Sequence, residues 1–367
     1  MQNLKYYVLW TSNSPLLNEY LDKFFIKLSE DLKTIDSKYN INFNVIELLN
    51  KKDIRDFLLN PDISSLINAI LPSWDITSIE KLERDVNYFL EWWINNEKLI
   101  INSWKTISWT KIRLTLNENN PFSRFDAHPD HKTTWGNIWW WEKKEEEWLK
   151  VYEQSFKILK DIDSWIYNEL NQIIKKIIPL WTAYWIHNSA SFKECVGHLY
   201  LWYTVDSDNP EINNLEAIIH ESSHNKLNLI MQFDPIVLND KKEKYYSAIR
   251  PDARHIHWVF LWYHAFAPTM YIIMKAYKNW YFGDNKYWLE KIVLYHIKTK
   301  FLQKVIKKYA KLTPLWEEIS QEIDYVITLM DNIITEIKPS KEILQNAIMA
   351  QKEHFNEVNR NYTYLEY

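Results

Sequence analysis

The sequence predicts a mainly α-helical protein with a few short strands, in the α+β class. Apolar residues recur at helical spacing along much of the chain, and only the segments 107–116 and 196–201 have the character of strands. A hydrophobic content of 47% over 367 residues is enough for a full core. A net charge of −4 gives no electrostatic reason to expect nucleic acid, and a single cysteine excludes a disulfide framework.

Residues 1–180 are predicted as an N-terminal helical region and are a candidate for substrate recognition. Amphipathic helices with Asn-rich connectors fill residues 1 to about 120, except for the Thr- and Ile-rich strand predicted at 107–116. A charge run at 142–147 begins a helix that is predicted to continue to about Ile178. Pro179 then ends it, because proline disfavours helical backbone at the preceding residue.

A metal-binding catalytic core is predicted for residues 181–310, and further helices for 311–367. The helix that carries the main motif starts with Asn209 as N-cap and Pro210 at its first position, and is expected to extend to about Phe233. The next helical segment, 255–274, contains no Asp, Glu, Lys or Arg and is as long as a membrane span. Its three histidines and its internal proline favour a buried core helix instead.

The counts of glycine and tryptophan, 3 and 20, are abnormal. Glycine normally supplies about 7% of a globular chain, or about 26 residues at this length. We favour the hypothesis that many of the printed tryptophans are glycines in the natural protein, because UGA encodes glycine there and was translated as tryptophan. The alternative is a genuinely Trp-rich protein. The first hypothesis predicts crowded or unusually exposed indoles at Trp258 and Trp262.

The sharpest chemical feature is the run His220-Glu221-Ser222-Ser223-His224. Residues four apart lie on the same face of a helix, so the two imidazoles can bind one metal ion. The glutamate lies beside them, near a metal-bound water or another ligand. A buried histidine pair without a metal would need other hydrogen-bond partners. The pattern therefore predicts a metal site.

A third ligand has to come from another part of the chain. His264 is the first candidate, because it lies deep in the apolar helix, and His257 is the second. Each of them can instead be an ordinary core histidine that is bonded to a backbone carbonyl. A second cluster, more simply interpreted as turn residues than as a metal or substrate site, comprises Asp126, His128, Asp130 and His131.

Several segments flank the histidine motif in a fixed order: Ser189-Ala190-Ser191, Val196-Gly197, the segment from Ile219 to Leu227, the segment from Tyr246 to Arg254, and the helix from Trp258 to Phe266. Through these landmarks, residues 189–266 resemble the 2-oxoglutarate-dependent HExxH-type peptide β-hydroxylases, which modify ribosomally made peptides. In that family glycines stand where this sequence has Trp258 and Trp262. Many relatives carry a histidine where Leu261 stands, and others carry it where His264 stands.

The resemblance implies a mononuclear Fe(II) held by His220, His224 and His264, with open positions for 2-oxoglutarate and O₂ and with a zincin-like pair of helices. A dianionic cosubstrate calls for a guanidinium on its distal carboxylate, and Arg254, ahead of Arg250, is the candidate. Both arginines can also be ordinary surface partners of the acidic loop.

Three functions remain open after these observations. The first is the peptide hydroxylase, in which Glu221 orients a ligand of the metal. The second is a zinc metallopeptidase, in which Glu221 is the general base toward a zinc-bound water. The third is a protein that binds a peptide without catalysis. In each case we expect a peptide partner, no nucleic acid, no membrane and a cytoplasmic protein, and the sequence does not predict its oligomeric state.

Overall fold

A computed structural model describes residues 15–39, 54–70, 105–115, 145–180, 189–193, 195–202 and 208–362. These residues are mainly helical and include a small four-stranded sheet, which confirms the predicted class in its broad form. The helices are α1 (Pro15–Tyr39), α2 (Ile54–Leu58), α3 (Pro61–Ile70), α4 (Glu145–Ile162), α5 (Ser164–Ile173), α6 (Pro210–Ile230), α7 (Ile256–Lys278), α8 (Lys286–Tyr309), α9 (Pro314–Ile337) and α10 (Lys341–Asn359).

The chain divides into two compact units, of which the first contains 154–169 and 208–362 among the described residues. Its centre is helix α7, which contains the uncharged segment up to residue 274 and packs against α6, α8 and α9. Most of the side chains of α7 are buried, as a helix that is apolar all round requires. This unit carries the residues that the sequence proposed for the iron centre and its cosubstrate, which are His220, His224, His257, His264, Arg250 and Arg254.

The second unit contains the sheet, whose strands are β1 (Lys105–Thr106), β2 (Arg113–Leu114), β3 (Lys176–Leu180) and β4 (His198–Trp202). The order is β1-β2-β3-β4, with β1 antiparallel to β2 and the other two pairs parallel. Of the described part of the strand predicted at 107–116, only β2 is extended; the first part of that segment is a turn, and β1 precedes it. The strand predicted at 196–201 corresponds to β4.

The long helix predicted from the charge run to Ile178 is wrong in its second half. It breaks at Asp163, whose side chain accepts a hydrogen bond from the backbone N–H of Ile166 at 3.1 Å and so begins α5. Lys275 binds the other carboxylate oxygen of Asp163 at 3.0 Å, which fixes the break against α7. Pro179 lies inside strand β3, where the parallel partner is Leu201, rather than after a helix.

The start of α6 is as predicted, with Asn209 before the helix and Pro210 as its first residue. The Asn209 side chain does not cap the helix, however; its Oδ1 accepts a hydrogen bond from Trp288 Nε1 at 3.1 Å and so ties α6 to α8. Among the described residues, no helix has the length and apolarity needed to span a membrane. The division into regions 1–180, 181–310 and 311–367 stays a prediction.

Candidate metal centre

The motif histidines lie on one face of α6 and contact each other. The Nε2 atoms of His220 and His224 are 3.1 Å apart, and their rings are nearly perpendicular with centroids 4.7 Å apart. Both side chains are half-buried, so part of each ring remains accessible to solvent. The helix positions two nitrogen atoms at one point on its surface, as the spacing of four residues predicts.

Aromatic rings of α7 cover this histidine pair. The Trp262 ring lies 5.5 Å from the His220 ring and 6.2 Å from the His224 ring, measured between centroids. Phe266, one turn further along α7, stacks on Trp262 at 5.4 Å and contacts His220 at 5.0 Å. The pair is therefore enclosed by aromatic surface on the side that faces α7.

The apolar surroundings keep both imidazoles neutral. Burial lowers the pKa of His224 to about 4. Burial, followed by the nearby His224, lowers the pKa of His220 well below its usual value. A neutral imidazole offers a lone pair to a metal without first losing a proton. At neutral pH the pair is thus in the protonation state that metal binding needs.

Glu221 is buried, with 5% of its surface exposed, beside the two histidines in the sequence of α6. Ser223, which precedes His224 in the sequence, uses its side chain for a bond within the helix. Its hydroxyl donates a hydrogen bond to the backbone carbonyl of Ile219 at 2.8 Å, one turn back in the same helix. Within its five positions the motif therefore places two imidazoles and one buried carboxylate, while the Ser223 hydroxyl is bound to the helix backbone.

His264 lies at the centre of the unit, 2% exposed, with its ring 6.4 Å from the ring of Trp316. Burial, the charge of Lys226 and the proximity of His224 all lower its pKa. Lys226 itself forms a buried ion pair with Glu169 at 2.6 Å. His264 is thus electrostatically coupled to both the motif helix and this ion pair.

The second candidate ligand, His257, lies at the start of α7. Burial and the neighbouring His255 lower its pKa to about 4, and its ring contacts the ring of Trp258 at 5.7 Å. The backbone N–H of His257 donates to the side chain of His255, which caps the helix. Its contacts therefore lie with the helix start, and the roles of His257 and His264 as third ligand stay predictions.

The two predicted cosubstrate ligands differ in their environment. Arg250 is exposed. Arg254 is about one third exposed, and its Nε binds Asp252 at 2.8 Å. A guanidinium held by its Nε keeps its terminal nitrogens as donors for a carboxylate. The roles of both arginines stay predictions.

The two tryptophans that the sequence singled out behave differently from ordinary core indoles. Trp258 has 51% of its surface exposed, although it belongs to the apolar helix. Trp262 occupies the surface directly over the two motif histidines. The cluster Asp126, His128, Asp130 and His131 lies outside the described residues.

Two features of the centre were not predicted from the sequence. One is the ion pair between Lys226 and Glu169, whose members are on α6 and α5. The other is the aromatic cover.

Among the described residues, His220 and His224 belong to no group of three or more His, Cys, Asp or Glu arranged to hold a metal. No protein-family model matches this chain, nor does any curated protein.

Proposed function

We propose that this protein is an Fe(II)/2-oxoglutarate-dependent hydroxylase that acts on a side chain of a peptide. In this proposal, His220 and His224 bind the metal, and α6 and α7 act as a zincin-like helix pair. The observation that carries the proposal is the 3.1 Å spacing between the two Nε2 atoms. The resemblance over residues 189–266 selects the reaction.

The spacing fits two ligands of one metal ion. Two nitrogen ligands that each lie about 2.0–2.1 Å from a metal are about 2.9 Å apart at a right angle and about 3.4 Å apart at a tetrahedral angle. The observed spacing lies between these values. It agrees with an octahedral iron centre and with a tetrahedral zinc centre, so the remaining ligands decide the metal.

His264 is the proposed third ligand, with His257 as the alternative. Its support is that His224 lowers its pKa, which indicates proximity, and that α7 packs against α6. Completing the set requires His264 to approach the pair from within the core. The aromatic ring of Trp262 now occupies the surface over the pair.

The residues of the chain then have distinct tasks. His220 and His224 hold the metal as neutral donors, and Glu221 orients a ligand from its buried position. Arg254, or Arg250, binds the distal carboxylate of 2-oxoglutarate. When bound, Fe(II) and 2-oxoglutarate supply the oxidation, in which O₂ is consumed, succinate and CO₂ are released, and one oxygen atom enters a C–H bond of the peptide.

The test is incubation of the purified protein with Fe(II), 2-oxoglutarate and peptides encoded next to its gene. The expected products are a peptide heavier by one oxygen atom and an equal amount of succinate. His224→Ala should abolish both products. Ser223→Ala is the matched control, because that hydroxyl binds only its own helix, and it should retain activity. Full activity of the His224→Ala variant would refute the proposal.

The runner-up is a zinc metallopeptidase. Buried Glu221 beside two neutral histidines is the observation that favours it, since a general base is needed next to a zinc-bound water. A metallopeptidase of the type with a glutamate as third ligand would need that carboxylate at the pair. The described residues form no group of three His, Cys, Asp or Glu there, so neither a glutamate nor His264 completes the ligand set in this structure. In the same assay a cleaved peptide, with no succinate formed, would establish the peptidase. Binding of the peptide without turnover would establish a non-catalytic protein.

A further inference from the structure

Trp280 occupies a position that strongly favours glycine. It is the second residue after α7, its φ is +63°, and 72% of its surface is exposed. The backbone N–H of Tyr281 donates to the carbonyl of Ala276, and that of Trp280 donates to the carbonyl of Tyr277. These two bonds define a Schellman motif, in which the left-handed residue is usually glycine because it has no Cβ.

Trp109 repeats the pattern in a different setting. It is the third residue of the turn that the N–H of Thr110 closes on the carbonyl of Ile107, with φ +63° and 63% of its surface exposed. Positive φ at this place in a turn calls for glycine. The two described glycines, Gly197 and Gly283, also have positive φ. Among described residues that are not glycine, Lys338 is the other case of positive φ besides these two tryptophans.

Other tryptophans fill the core, although the indole N–H of Trp316 has no hydrogen-bond partner among the described residues. Trp316 and Trp288 are 0% and 2% exposed, and Trp148 is 2% exposed. Trp288 stacks on Phe282 at 5.3 Å and donates its indole N–H to Asn209. Such rings fill the core, and glycine would leave large cavities there. Backbone conformation and burial therefore separate two classes of printed tryptophan.

Trp262 differs from both the exposed tryptophans with positive φ and the core tryptophans. It lies inside helix α7, and its ring covers the two motif histidines. Glycine is normally unfavourable in a helix, so a glycine here needs a reason. The reason is space: without the indole, the surface over His220 and His224 opens toward α7. A metal with vacant positions for a cosubstrate needs such space.

We propose that the natural chain carries glycine at positions 109, 262 and 280, and that glycine at position 262 opens the histidine pair to a metal and its cosubstrate. The second part rests on the proposed function; the first part does not. Position 262 then determines access to the site. The Trp262 part of the aromatic cover is absent from the natural protein, whereas Phe266 remains beside His220.

The codons test the first part directly. Codons 109, 262 and 280 should be UGA, and codons 148, 288 and 316 should be UGG. Peptide mass spectrometry of the protein from its own cells should find glycine at the first three positions and tryptophan at the other three. UGG at codon 262, or tryptophan there in the natural protein, overturns the proposal.

Binding of Co(II) tests the second part. We expect the Trp262→Gly variant to bind Co(II) at least about tenfold more tightly than the printed chain, as followed by the visible absorption of the ion. Trp280→Gly is the matched control: it should raise the midpoint of thermal unfolding by about 1–3 °C and leave Co(II) affinity unchanged. Trp316→Gly should lower that midpoint, because it empties the core.

The outcomes separate this inference from the proposed function. Equal Co(II) affinity of the Trp262→Gly variant and the printed chain overturns the role of position 262. UGA codons together with a Trp262→Gly variant that binds Co(II) tightly but forms no hydroxylated peptide support the inference and count against the hydroxylase. A Trp280→Gly variant that is less stable than the printed chain contradicts the assignment of the left-handed turn.

Discussion

Two histidine sites of the first unit, one buried and one half-buried, satisfy their imidazoles in opposite ways. His296 on α8 binds the carboxylate of Asp331 at 2.9 Å, and Lys300 binds the same carboxylate oxygen at 2.9 Å. His220 and His224 on α6 bind each other instead. The first arrangement compensates a buried imidazole with a charged partner at its Nε2, although its Nδ1 has no hydrogen-bond partner among the described residues. The second leaves two neutral nitrogens directed at one point, which suits a metal.

The pKa shifts of His296 and of the two motif histidines reflect this difference in partners. Burial lowers the pKa of His296, while the Asp331 carboxylate opposes that shift. Burial alone lowers the pKa of His224 to about 4, and for His220 the nearby His224 adds to it. A histidine that has a carboxylate partner gains structural stability from it. A histidine pair without this compensation is costly to the fold and therefore points to a ligand-binding role.

Loss of a motif histidine should produce the largest effect. We expect His224→Ala to weaken Co(II) binding by more than about 100-fold, since it removes a direct ligand, while the free energy of unfolding of the metal-free protein changes little or rises. His296→Ala is the matched variant and should keep the Co(II) affinity. Isothermal titration with Co(II) measures both. Equal losses in the two variants would erase the distinction between the sites.

The ion pair between Lys226 and Glu169 should be the most sensitive structural feature near the centre. Both side chains are about nine-tenths buried, and burial raises the pKa of Glu169 despite the lysine. Lys226→Met leaves that carboxylate buried without its partner, and we expect a loss of about 3–5 kcal/mol in the free energy of unfolding.

The double variant Lys226→Met/Glu169→Leu is the control for this pair. It removes both charges, so most of the lost stability should return. Urea unfolding of the single and double variants gives the comparison. A double variant as unstable as the single one would show that packing of the lysine stem, rather than the unpaired charge, supports the fold.

Local patterns predicted the parts of the molecule that depend on neighbouring residues. The start of α6 at Asn209 and Pro210 and the helical character of the uncharged segment follow from the sequence because both are set within a few residues. The break at Asp163 was missed because its stabilising partner, Lys275, is far away in the chain. Tertiary pairing thus limited the prediction of helix boundaries.

Prediction of the candidate metal centre from the sequence was limited in the same way, by contacts between residues far apart in the chain. The two histidines four apart predicted a shared point on α6, and they lie 3.1 Å apart. The ion pair at Lys226 had no signal in the sequence, because Glu169 belongs to another helix. The third ligand depends on how α7 rotates against α6, which is a matter of packing. Position 262 decides part of that packing.

The structural histidine should show a smaller effect. His296→Ala removes the hydrogen bond to Asp331, whose side chain is partly exposed and retains Lys300. We expect a loss of about 1–2 kcal/mol in the free energy of unfolding, measured in urea. His296→Gln can still donate a hydrogen bond and should recover part of it. A His296→Ala variant as stable as the parent chain would show that the bond is not structural.

The pH dependence of stability should show the smallest effect, and it separates the two sites by the size of the slope. Folding lowers the pKa of His224 to about 4 from its usual 6.5, so the unfolded chain binds the proton more tightly. The free energy of unfolding of the metal-free protein should therefore be highest above pH 6.5 and fall as the pH drops toward 4.

Because His224 is only half-buried, we expect its share to be about 1 kcal/mol between pH 7 and 5. His224→Ala should flatten that slope, whereas His296→Ala should flatten it less, since Asp331 opposes the shift there. Equal slopes in the parent and the His224→Ala variant would mean that the folded chain accepts the proton readily, and the neutral pair would then be the wrong description of the site.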